Sequence, residues 1–147
     1  QVIDRSDTVA QSIVVSPDYA RDGTIWIGLL YGTIYKTQDA GQTWYAAPSG
    51  LPTDLVWARS IIFSPDYARD RTIYVGTDNG LFRSDTAGAT WARLDAGLAP
   101  PKTGQLTITA LAISPEFATD QTLLVATSDG GVSISRDQGD TWSIVDQ

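Results

Sequence analysis

Short runs of β-branched and aromatic residues, broken every few positions by Pro, Asp and Gly, set the hydrophobic pattern of this chain. Helix signals are absent, and the alternation reads as strands joined by tight turns. In the first third of the sequence the strands fall at about Val9–Val15, Thr24–Leu29, Thr33–Thr37 and Thr43–Ala47. The pattern then recurs. VVSPDYARDGTIWIG at Val14–Gly28 returns as IFSPDYARDRTIYVG at Ile62–Gly76 and as AISPEFATDQTLLVA at Ala112–Ala126, at spacings of 48 and 50 residues. Each copy is followed by a second shared block, KTQDAGQTW ending at Trp44, RSDTAGATW ending at Trp91 and SRDQGDTW ending at Trp142.

Four antiparallel strands in a period of about 40 to 50 residues make the blade of a β-propeller, in which each sheet buries its faces on its neighbours. The expected fold is therefore all-β, with three four-stranded antiparallel blades in one propeller segment: blade 1 at about 1–50, blade 2 at about 51–100 and blade 3 at about 101–147. The second block, S/T-x-D-x-G-x-T-W, resembles the Asp-box of bacterial-neuraminidase-repeat (BNR) propellers. Thr37, Asp39, Gly41, Thr43 and Trp44 carry it in the first copy, and Ser135, Asp137, Gly139, Thr141 and Trp142 in the third. In the middle copy Ser84, Gly88, Thr90 and Trp91 match, but Thr86 holds the Asp position and Asp85 stands one residue early. The resemblance puts these turns between the third and fourth strands, away from the ligand face, so the residues are expected to be structural. The turn chemistry agrees: Asp accepts backbone amides two residues on, Gly supplies a positive φ, and Trp anchors the turn by its buried surface.

The SPDYARD, SPDYARD and SPEFATD segments read the same way. Pro ends the ladder of the first strand, and Tyr19, Tyr67 and Phe117 are expected to form an apolar cap over the turn. Asp18 and Asp22 supply too few oxygens for calcium, which takes about 6 to 8, so no metal is assigned.

Composition narrows the chemistry. The 147 residues contain no Cys and no His, which removes disulfides, thiolate chemistry, the commonest zinc ligands and the commonest general base. No cofactor is expected. A formal net charge of −7 opposes binding to nucleic acid or to anionic membranes. No apolar run reaches the roughly 20 residues of a membrane-spanning helix, and no signal-peptide pattern stands at the N-terminus. The chain has no Met, and we read it as a mature or excised segment whose expected setting is extracellular or the cell surface.

Three blades do not close a ring, because propellers have about 4 to 8. Trp44 to Ile61 spans 17 residues and Trp91 to Leu111 spans 20; were Gln147 followed by another copy's Gln1, Trp142 to the next Ile13 would span 18. The expected partner is therefore another copy, in a head-to-tail homodimer closing six blades. The other account is that the three blades are a fragment of a longer propeller.

The turns between second and third strands share a face with the connections between blades, and on that face the copies differ. Its candidate residues are Tyr31, Asp78, Asn79 and Asp129 in the turns, Asp54 and Trp57 in the first connection, and Arg59 just beyond. Trp57 and Tyr31, flanked by Asp54, Asp78, Asn79 and Arg59, form a candidate sugar platform, since aromatic faces stack on pyranose rings and amides or carboxylates bind hydroxyls. Trp57 as a packing cap on the channel is the competing reading. Sialidase chemistry needs an arginine triad, an acid, and a Tyr nucleophile with a partner Glu, whereas Glu116, the sole Glu, lies on the other face. Asp54, Asp78 and Asp129 are the candidate carboxylates for a two-Asp glycosidase. The expected function is a non-enzymatic binding or scaffold module for a glycan or a protein segment. A glycoside hydrolase and a structural unit that self-assembles through blade faces are the alternatives.

Overall fold

The computed structural model describes residues 9–30, 33–47, 51, 57–98, 101–102 and 104–145. They form three separate four-stranded antiparallel sheets, each in sequence order. The first holds β1 (Ala10–Val15), β2 (Ile25–Leu29), β3 (Ile34–Thr37) and β4 (Tyr45–Ala46). The second holds β5 (Ala58–Phe63), β6 (Ile73–Thr77), β7 (Gly80–Ser84) and β8 (Ala92–Arg93). The third holds β9 (Ile108–Ile113), β10 (Leu123–Thr127), β11 (Gly131–Ser135) and β12 (Ser143–Ile144). These are propeller blades, and the inner strands β1, β5 and β9 pack on one another in that order.

Each SPDYARD-type segment contains one turn of helix, which the hydrophobic pattern did not disclose: α1 (Tyr19–Asp22), α2 (Tyr67–Asp70) and α3 (Phe117–Asp120). Four residues are too few to show a helical period. The turn is held instead by local side-chain bonds. Ser16 Oγ donates to Asp22 Oδ2 (2.7 Å), and Asp22 Oδ1 accepts the Thr24 amide (2.8 Å); Ser114, Asp120 and Thr122 repeat the arrangement. A left-handed residue, Gly23, Arg71 or Gln121, then ends each turn. Tyr67 and Phe117 are buried caps as expected, whereas Tyr19, which no blade among the described residues covers, is exposed.

The core lies between the blades. Trp26 from blade 1 packs edge-on against Phe63 and Trp91 of blade 2 at centroid distances of 6.3 and 6.1 Å, in a cluster with Ile34, Ile61 and Ile73. Tyr74 of blade 2 repeats this against Phe117 of blade 3 (6.1 Å), with Leu81, Leu94, Ile108 and Leu123 around it. Polar bonds cross the second seam: the Tyr74 hydroxyl donates to the Gln138 carbonyl (2.8 Å), and Trp142 Nε1 to the Leu94 carbonyl (2.9 Å).

In the turns between third and fourth strands the division of labour differs from the expected one. The first hydroxyl, not the carboxylate, takes the amides just ahead: Thr37 Oγ1 accepts from Asp39 N (3.2 Å) and Gly41 N (3.0 Å). The carboxylate reaches farther, with Asp39 Oδ1 accepting the Thr43 amide (2.8 Å) and Oδ2 the Thr43 hydroxyl. Ser135, Asp137 and Thr141 do the same in blade 3. In blade 2 the Thr86 hydroxyl stands in for the carboxylate and accepts the Thr90 amide (2.9 Å), so the turn survives the loss of Asp. The glycines here have φ of 92°, 84° and 100° at Gly41, Gly88 and Gly139. At Gly88 there is a second demand, because a Cβ would stand 2.2 Å from Trp26 Cη2.

Two predictions follow from these turns. Gly88→Ala is expected to lose about 1–3 kcal/mol to overpacking of Trp26 beyond the left-handed strain it shares with Gly97→Ala, whose Cβ would meet nothing among the described residues. Equal urea midpoints for the two variants would contradict this. The carboxyl of Asp39 is held down to about 2 by the Thr43 hydroxyl, then the Thr43 amide and the Thr37 hydroxyl; that of Asp137 is held down to about 2 by the hydroxyls of Ser135 and Thr141 and the Thr141 amide. A folded value below the unfolded 3.8 means the stabilisation is complete above pH 4 and lost as pH falls toward 2. The double variant Asp39→Asn/Asp137→Asn should therefore unfold with a shallower pH dependence across that window; an unchanged slope would show that other groups govern it.

Candidate functional site

The variable face is built from the ends of strands. β6 and β7 meet at a turn of Asp78 and Asn79, and β8 returns to the same end before the connection to β9. Tyr31 and Asp54 lie outside the described residues.

On the channel side of this face the structure brings together Trp57, Arg59 and Asp78. Asp78 Oδ1 accepts the Trp57 amide (3.0 Å), and the Asp78 amide donates to the Trp57 carbonyl (3.3 Å). The turn thus pins the start of the inner strand. Trp57 also bridges to Leu30 of blade 1 through the backbone, and the Arg59 guanidinium lies over its ring at 4.2 Å, covering one aromatic face. Trp57 Nε1 and Arg59 Nε are buried and have no hydrogen-bond partner among the described residues. The Arg59 position is a β-bulge: the ladder between β5 and β6 shifts between Ala58 and Ser60. The same shift falls at Gln11 on β1 and at Thr109 on β9. Bulges re-aim side chains, so Gln11, Arg59 and Thr109 form a set of unlike polar residues at one repeated position on the inner strands.

On the outer side of the same turn lies a groove of about 570 Å³, lined by Asn79, Arg93, Asp95, Gln105 and the apolar Leu98 and Leu106, among others. Arg93 grips Asp95 through Nε (2.9 and 2.8 Å to the two oxygens) and Nη2 (2.7 Å), a forked pair of the kind that fixes both groups in one plane. The pair sits on Gly80, where a Cβ would stand 2.7 Å from Asp95 Oδ2 and 3.0 Å from Arg93 Nη2. Glycine at this turn therefore serves the groove as well as its own φ of 110°. Asp129, on the equivalent turn of blade 3, accepts the Lys102 amide at 2.8 Å and anchors the connection from blade 2.

Sequence reasoning identified Trp57, Arg59, Asp78, Asn79 and Asp129 as residues of this face, but passed over Arg93, Asp95, Gln105, Gln11 and Thr109. A position-by-position comparison of the copies carries the signal: Arg93 stands where the other blades have Ala46 and Ile144, and Arg59 where they have Gln11 and Thr109.

No protein-family model and no curated protein matches the chain. Solved structures do. An ancestral GH74 enzyme superposes with a TM-score of 0.71 at 17% identity, over 93% of this chain and 18% of its own. YCF48 bound to a D1 peptide gives 0.67 at 17% identity, over 95% and 41%. The extracellular domain of a one-component system protein from B. thetaiotaomicron gives 0.60 at 21%, over 84% and 15%. These similar structures are β-propellers. The likeness establishes the propeller fold, and the chain spans less than half the length of each of these proteins.

Removing the Asp78 carboxylate tests the pinning of Trp57. Asp78→Ala should speed exchange of the Trp57 amide about tenfold or more, since a bond to a charged acceptor contributes about 1.5–3 kcal/mol, whereas Asp78→Asn keeps an acceptor and should change it far less. Identical exchange in both variants would mean that the carboxylate does not hold the strand.

Proposed function

We propose that the chain is an Asp-box (BNR) propeller segment acting as a non-enzymatic binding module, with a glycan as the first ligand class and a protein segment as the second. Membership of that family rests on the three hydroxyl-and-Asp turns, one with Thr86 in the Asp place. The observation that carries the binding reading is the use made of the two described candidate carboxylates. Asp78 and Asp129 each commit an oxygen to a backbone amide that fixes a loop. A glycosidase instead needs a pair about 5–10 Å apart with one carboxyl protonated and the other ionised. The groove beside them offers what neutral polar ligands require: the amides of Asn79 and Gln105, a rigid Arg93–Asp95 fork, and aliphatic surface from Leu98 and Leu106. Trp57, one face covered by Arg59, adds a rigid aromatic edge at the channel rim. Among proteins of similar fold, one is a GH74 enzyme and another was solved with a peptide, so the scaffold accommodates both alternatives. An extracellular or cell-surface setting belongs to the same proposal, in keeping with the extracellular domain among the similar structures.

A glycan array on the intact chain tests it. The expected result is binding to a restricted set of glycans, weakened about tenfold or more by Arg93→Ala or Trp57→Ala and kept in Asp129→Asn, without release of reducing sugar. Turnover of a bound glycan that Asp78→Asn or Asp129→Asn abolishes would replace this reading by the hydrolase.

A further inference from the structure

The Arg93–Asp95 fork fills space that the repeat leaves open elsewhere. In blades 2 and 3 the third strand begins on a glycine paired with the threonine that ends the second, Gly80 with Thr77 and Gly131 with Thr127. A Cβ on Gly131 would meet nothing among the described residues, whereas one on Gly80 would stand 2.7 Å from Asp95 Oδ2 and 3.0 Å from Arg93 Nη2. The glycine is common to both blades and the fork is not, so the fork is an addition to the blade rather than a support for it.

Both partners are held in place. The Arg93 guanidinium lies over the ring of buried Phe82 at 5.7 Å, and the Asp95 carbonyl accepts the Leu98 amide (3.1 Å), which fixes the turn that carries the carboxylate. The edge of a guanidinium formed by Nε and one Nη receives a carboxylate through two parallel bonds. Here the chain's own carboxylate already takes that edge, because Nε and Nη2 both donate to Asp95. A carboxylate arriving in the groove must displace Asp95 or stand beside its charge. The rest of the lining is uncharged. Of the charged residues adjacent to it in sequence, Asp78 and Lys102 cancel, and Asp129 holds the Lys102 amide at 2.8 Å, so no net positive charge draws an anion in.

We propose that Asp95 sets the selectivity of this groove: by occupying the binding edge of Arg93 it admits uncharged glycans and turns away those that carry a uronic acid carboxylate. The proposal rests on the reading of the groove as a glycan site. A sugar hydroxyl brings no charge against Asp95. It can donate to an Asp95 oxygen and accept from the amide of Asn79 or Gln105.

The test is an array of neutral glycans and matched glycans carrying a uronic acid. It is probed with the intact chain, with Asp95→Asn and with Arg93→Gln/Asp95→Asn, each checked for folding by circular dichroism; Asp95→Ser takes over if Asp95→Asn unfolds. The intact chain is expected to favour neutral glycans over their acidic counterparts by about tenfold or more, with little change as salt rises from about 50 to 500 mM. Asp95→Asn should raise the binding of acidic glycans by about tenfold or more and make it fall with salt, because the Arg93 edge then faces the ligand. The double variant should lose that gain. Equal binding of acidic and neutral glycans by the intact chain, or no gain in Asp95→Asn, would overturn the role given to Asp95 and leave the glycan reading in place. Absence of all glycan binding by the intact chain would overturn both.

Discussion

Everything in this chain depends on one contact: a large side chain from the second strand of a blade pressed onto the turn of the next blade. Trp26 lies on Gly88; at the second seam Tyr74 reaches the equivalent turn through its hydroxyl on the Gln138 carbonyl, and Leu94, just beyond β8, packs where Gly139 has no Cβ. No sheet here has a core of its own. Each buries a face only against a neighbour, so stability comes from seams rather than from blades, as in other repeat architectures. This explains why the most regular features of the sequence, the glycine–hydroxyl–Trp turns, are far from the variable face. Their task is to present a surface without a Cβ at the point where the next ring arrives.

The same dependence separates what could be read from the sequence from what could not. Strand positions were legible because β-branched and aromatic runs alternate cleanly and because three copies repeat the reading; β2, expected from Thr24, begins at Ile25, and β3, expected from Thr33, begins at Ile34. The helical turns α1 to α3 were not legible, since four residues held by a Ser–Asp–Thr bond set leave no hydrophobic period. Thr86 misled in the other direction. Its hydroxyl accepts the Thr90 amide as the carboxylates do in blades 1 and 3, and a motif written in residue letters does not show that a neutral acceptor suffices.

The candidate site was legible as a face and less so as a set of residues. Trp57 and Asp78 stood out as unrepeated, but their mutual hydrogen bonds depend on a turn from one hairpin reaching the start of another strand, 21 residues earlier in the chain. Arg93 and Asp95 escaped because the fourth strand is only two residues long and its end is not an expected place for function. Gln11, Arg59 and Thr109 share a bulge, a backbone feature that sequence spacing does not reveal.

Where the site sits is itself a consequence of the seams. The turn faces that carry Thr86 and Asp137 are constrained by the neighbour that packs on them, and a change there costs the whole joint. At the opposite ends of the strands the blades meet through the backbone bridge of Leu30 and Trp57. There the hairpin turns and connections need only close, by Asp78 on Trp57 or Asp129 on Lys102, and the residues beside them are free to differ from blade to blade. A scaffold held by its seams leaves the hairpin ends beside them to chemistry, and in this chain the Arg93–Asp95 fork, seated on Gly80 at the variable face, is the feature the repeat does not require.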